Sequence, residues 1–174
     1  MIPPSNVVSS RFTWSTLPHH QGSELKCGEE VVGTLRRPSA WSMTFEATTP
    51  QGKWTFRRCG FLRTEIVDSA TQQRIATFHP GWGGRGTLTF ADGETFLMTC
   101  KGVWRPVWTV ASQSGEPVLS LHAREKFVEL SESTVHVGNA RDPRLSLLIM
   151  FTLYRIRQAE EDAATAVLVS VIAG

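Results

Sequence analysis

The chain has 174 residues, 41% of them hydrophobic, enough for one domain around a sizeable core and short for two. A formal net charge of +2 is near balance and excludes a global pull towards polyanions such as nucleic acid. Three cysteines, Cys27, Cys59 and Cys100, form an odd number without CxxC spacing, against both a disulfide framework and a structural zinc site. The opening MIPPSNVVSS has no basic segment followed by an apolar one, so no signal peptide is expected and a reducing, cytoplasmic setting fits.

Taken in chain order, the sequence reads as β structure. A first strand is predicted around Arg11 to Trp14. AWSMTFEA, at 40–47, alternates Trp41, Met43 and Phe45 against Ser42, Thr44 and Glu46, the period of a half-buried strand. TPQG marks a turn and KWTF alternates again. TEIVD, SATQQ and RIATF outline a hairpin. HPGWGGRG, at 79–86, reads as a loop needing positive φ. TLTF, ADG and ETFLMTC form the clearest hairpin, with Asp92-Gly93 at its turn. VWTVAS, QSGE and PVLSLH repeat the pattern, and FVELS, EST and VHVG follow. About eleven strands between residues 30 and 138 are predicted, at the close spacing of an all-β sandwich or barrel.

The pattern then changes. Asp142-Pro143 supplies an N-cap and a first helical position, and Leu145 to Tyr154 is apolar but for Ser146 and Thr152. A helix without a polar face is buried in a core or a membrane. A membrane span needs about 20 such residues, and this run stops at Arg155 and Arg157, so a buried helix over 142–158 is expected. Strands on all sides of a helix require a closed antiparallel β-barrel with the helix as its plug. Beyond it, QAEEDAATAVLVSVIAG reads as an acidic turn and a second apolar run, 163–173, either helix or strand.

TEIVDSATQQRIATF, GTLTFADGETFLMT, VWTVASQSGEPVLSLH and the helix LSLLIMFTLYRIRQ together resemble the tubby C-terminal-like superfamily. That group includes tubby-like proteins, phospholipid scramblases and LURP-one-related proteins. The resemblance covers most of residues 30–158 and is one of pattern and order. It implies a single domain: about twelve strands closed around a central hydrophobic C-terminal helix. It also implies a phospholipid- or membrane-surface-binding role. The acidic calcium-binding segment that scramblases carry ahead of the helix is replaced by TVHVGNARDPRL, whose one carboxylate is Asp142, so calcium by that route is not expected.

No catalytic motif emerges. His19, His20, His79, His122 and His136 show no metal-ligand spacing. GWGGRG lacks the Lys-Ser/Thr of a phosphate-binding loop, and no GxSxG occurs. A non-catalytic protein without cofactor or metal is expected. The stronger lead is basic. Arg36, Arg37, Lys53, Arg57 and Arg58, with Arg63, interleave with Trp41, Trp54, Phe56 and Phe61; Lys101, Arg105, Arg124 and Lys126 lie near Trp104 and Trp108. Arginine forks suit phosphate, and aromatic rings beside them suit a membrane interface. The first set is the candidate lipid- or phosphate-binding site, with anionic phospholipid as partner and a peripheral membrane location. The alternative is a soluble scaffold whose Arg–aromatic surface docks a protein.

Overall fold

The computed structural model describes residues 12–17, 22–122, 133–137 and 144–173. It is mainly β. The strands are β1 (Phe12–Thr16), β2 (Gly22–Cys27), β3 (Glu30–Arg36), β4 (Thr44–Thr49), β5 (Gly52–Cys59) and β6 (Arg63–Asp68). They continue as β7 (Arg74–Pro80), β8 (Gly86–Phe90), β9 (Thr95–Lys101), β10 (Val107–Ser112), β11 (Pro117–His122) and β12 (Ser133–Val137). One helix, α1 (Leu145–Ala173), follows. Each of β2 to β11 pairs antiparallel with the strands before and after it in sequence. β12 pairs with β11, and also with β1, Val135 standing opposite Phe12. The result is a barrel-like antiparallel sheet.

Alternation decides which side chains enter the core. In β5, Trp54 and Phe56 are buried while Lys53 and Arg57 are exposed. Turn chemistry sets the hairpins. The Asp68 carboxylate accepts the backbone N–H groups of Ala70 and Thr71, each at 2.9 Å, closing the β6–β7 turn. The Asp92 carboxylate accepts the Glu94 N–H at 3.0 Å, and Gly93 takes φ +91°, so the expected Asp92-Gly93 turn is present.

Three expectations change. AWSMTFEA is not one strand: β4 begins at Thr44, and of Trp41, Met43 and Phe45 only Phe45 is buried. Gly22–Cys27 is a strand that its composition hides, since GSELKC has one large apolar residue, Leu25. Ser133 and Thr134, read as turn, belong to β12. The predicted strand FVELS and the helix-starting pair Asp142-Pro143 lie outside the described residues.

The opening half of α1 is the core of the molecule. From Leu145 to Gln158 every helical residue but Arg155 is buried. Phe151 meets Phe56 at 5.3 Å and Phe78 at 5.2 Å between ring centroids. Tyr154 meets Phe45 at 5.3 Å and Phe56 at 5.2 Å. Gly33 on β3 makes room for the helix, because a Cβ there would lie 2.9 Å from the Met150 sulfur. The sheet thus curls around an apolar helix, as the all-round patterning requires.

Burial stops at Gln158, the predicted helix end, but the helix does not. It runs on through the supposed acidic turn and through 163–173, which is helix and not strand. Ala, Glu and Gln at 158–166 are strong helix formers, and extending an existing helix costs far less than nucleating one. The β-branched run is carried along.

Candidate functional site

An up-and-down sheet sorts its connections onto two ends. The stretches 28–29, 50–51, 69–73, 91–94 and 113–116 gather where α1 enters the sheet. The loops 37–43, 60–62, 81–85 and 102–106 gather where it leaves. Ion pairs fix both ends. At the entry end the Arg144 guanidinium donates to the Asp92 and Glu94 carboxylates and stacks over Phe90, 4.1 Å from the ring centroid. At the exit end Arg37 pairs with Glu161 at 2.6 Å and Arg58 with Asp162 at 3.7 Å.

The exit end is a cationic collar around the helix. Arg37 lies 4.5 Å over the Phe45 ring, Arg155 lies 4.7 Å over Phe78, and Arg157 reaches Glu161 at 3.4 Å. The Gln158 amide donates to the Tyr154 hydroxyl at 2.5 Å just below. Burial pushes the Tyr154 hydroxyl above its ordinary value and holds the Arg155 guanidinium below its own. Glu161 and Asp162 of α1 are thus paired with arginines of the collar.

Outside the collar the loops carry bare apolar side chains. Trp41 is 94% exposed and Trp82 96%, and Phe61, Leu62, Val103 and Trp104 are also exposed. All stand on the loops 37–43, 60–62, 81–85 and 102–106. Trp82 is held out by a 3-10 turn, Trp82–Gly84, in which Gly83 and Gly84 take φ of +67° and +75°. A Cβ on Gly84 would sit 3.0 Å from that of Cys100, so this loop folds tightly against β9 and Trp82 has nowhere inward to go. From the same end α1 projects residues 162–173, all exposed, among them Val167, Leu168, Val169, Val171 and Ile172.

Cations are uneven along the same axis, whereas carboxylates occur at both ends, Glu46 and Glu65 standing opposite Arg36 and Arg57. Arg36, Arg57, Arg63, Arg85, Lys101 and Arg105 are exposed towards the exit end. Glu29, Glu30, Asp68, Asp92, Glu94 and Glu116 lie towards the entry end. The entry end also has a cleft of about 420 Å³ lined by Trp54, Arg74, Phe90, Asp92, Arg144 and Leu147, but its Arg144 is committed to the two turn carboxylates.

The five sequence candidates separate. Arg36 and Arg57 are exposed at the exit end. Arg37 and Arg58 are at that end too, half-buried and paired with α1. Lys53 is not with them: it begins β5 at the entry end, about 13 Å of strand away from Arg57. Of the aromatic partners, Trp54 and Phe56 are core, while Trp41 and Phe61 face solvent. In the second basic set Lys101 and Arg105 reach the exit end beside exposed Trp104, Trp108 is buried, and Arg124 and Lys126 lie outside the described residues. Trp82 and Leu62 were not among the sequence candidates, and the apolar run 163–173 was read as helix or strand without a place at this end. The available signal was hairpin parity, since alternate loops of a meander must share an end. No family model, curated protein or solved structure matches the chain.

Proposed function

We propose that this protein is a non-catalytic module that docks on anionic phospholipid surfaces through its exit end. We further propose that its sheet is a closed twelve-stranded barrel of the tubby C-terminal-like, scramblase-related type. The pairing of β1 with β12 and the burial of α1 on every side support the closed barrel. The observation carrying the function is a coincidence. Exposed Trp and Phe side chains share one end with most of the exposed arginines. Trp prefers the headgroup region, where an amphipathic ring is half-solvated, and Arg pairs with phosphate as a fork. The excess of cations there would turn the exit end towards a negative surface.

Flotation with neutral and anionic vesicles tests this. At about 0.1 M salt the anionic vesicles should carry more protein, and the excess should vanish near 0.5 M as the screening length shrinks below about 5 Å. Equal binding to both vesicle types at low salt overturns the selectivity for anionic surfaces, and binding to neither overturns the lipid reading. Selective capture of a protein partner by the same end would then favour the interaction scaffold.

A further inference from the structure

No helix among the described residues is long and apolar enough to cross a membrane. Yet positions 163–173, AATAVLVSVIA, carry no charge and stand clear of the sheet, with Ile172 83% exposed. We infer that this extension of α1 inserts end-on into the outermost leaflet of the surface on which the protein docks. The loops 37–43, 60–62, 81–85 and 102–106 would lie at headgroup depth around it. This rests on the docking reading above and adds a part that enters the hydrocarbon.

Geometry and charge converge on it. The described residues 163–173 span about 16 Å as a helix, enough to pass the headgroups and enter a hydrocarbon core about 30 Å thick. An amphipathic helix lying in the interface keeps a charged face, and this one has none. Apolar on all sides, it calls for surroundings on all sides. Lipid tails supply them, whereas one flat partner covers a single face. The last charges on the helix are Glu160, Glu161 and Asp162. Glu161 and Asp162 are paired with Arg37, Arg157 and Arg58 at the collar, so the carboxylates nearest the membrane would arrive largely neutralised. Trp41, Phe61, Trp82 and Trp104 ring the point of exit, where an interfacial aromatic belt would sit. Because α1 is continuous from the core into the extension, the insertion axis is rigid and fixed to the sheet.

The full-length chain is compared with a variant carrying Val167→Ser, Leu168→Ser, Val169→Ser, Val171→Ser and Ile172→Ser. All five positions are exposed, so an unchanged thermal melt is expected. The wild type should float with neutral phosphatidylcholine vesicles at about 0.5 M salt, where surface charge is screened. The variant should lose more than about a hundredfold of that binding while keeping its low-salt preference for anionic vesicles. The second arm attaches an environment-sensitive dye at Ser170→Cys, with Cys27, Cys59 and Cys100 replaced by Ser. Nitroxides deep in the acyl chains should quench it more than nitroxides at the headgroup. Wild-type binding that is wholly salt-labile and confined to anionic vesicles overturns the insertion while leaving surface docking intact. So does a dye that stays quenched only from the aqueous phase, or one buried by concentration-dependent self-association before vesicles are added.

Discussion

Arg57 and Arg58 are neighbours on a strand, so their side chains leave on opposite faces. Arg57 is exposed on the outside, whereas Arg58 turns to the mouth of the sheet and holds Asp162. Their substitution should therefore have different consequences. Replacing Arg36 and Arg57 by Ser should weaken binding to anionic vesicles by about fivefold per charge, each cation contributing about 1 kcal/mol near such a surface, with the melt unchanged. Glu161→Gln with Asp162→Asn should act in the opposite direction, strengthening that binding several-fold by releasing Arg37 and Arg58. Vesicle titration by flotation checks both signs. Tyr154 offers a test in alkali. Burial raises its hydroxyl above the ordinary 10.0, so the folded chain holds this proton where the unfolded chain sheds it. The associated stability is present below about pH 10 and is lost as pH rises through the folded value. Urea midpoints should fall above pH 10, and Tyr154→Phe should flatten that fall; an identical pH slope in the two proteins would show that the hydroxyl is not responsible.

At the scale of elements, α1 does two jobs along one axis. Its first half is the core. Phe151→Ala should cost about 3 to 5 kcal/mol by denaturant titration, because the rings of Phe56 and Phe78 cannot collapse into the space left. Leu148→Asp should leave no cooperative transition, a carboxylate there having no partner. This half was legible in the sequence, since ten positions of nearly unbroken apolar character must be covered on every side. The hairpins around Asp68 and Asp92-Gly93 were legible too, because their side-chain and glycine chemistry is local. What local pattern could not give was direction. Trp41 and Met43 alternate with Phe45 as core residues would, but β4 starts only at Thr44 and leaves them on a loop. Lys53 sits four residues from Arg57, yet a strand carries four residues to its far end. Both errors treat proximity in sequence as proximity in space. The extension of α1 was ambiguous for a different reason: β-branched residues fit either state, and the helix already running into them decided it.

The whole molecule is polar along the axis of its helix. One end carries carboxylate-rich turns tied down through Arg144, and the other carries arginines, bare aromatic loops and an emerging apolar helix. The core is filled by the residues between Leu145 and Gln158, and the exposed loop aromatics and the helix extension take no part in it. Exposed apolar side chains gathered in one region mark an interaction surface, and arginines beside them select a negatively charged one. The exit end should therefore face the membrane, and hydrogen–deuterium exchange with and without anionic vesicles reads that orientation directly. Amides in 37–43, 60–62, 81–85, 102–106 and 163–173 should be protected when vesicles are present, while those in 69–73, 91–94 and 113–116 exchange as before. Protection centred on the second group, or spread equally over both ends, would contradict that orientation.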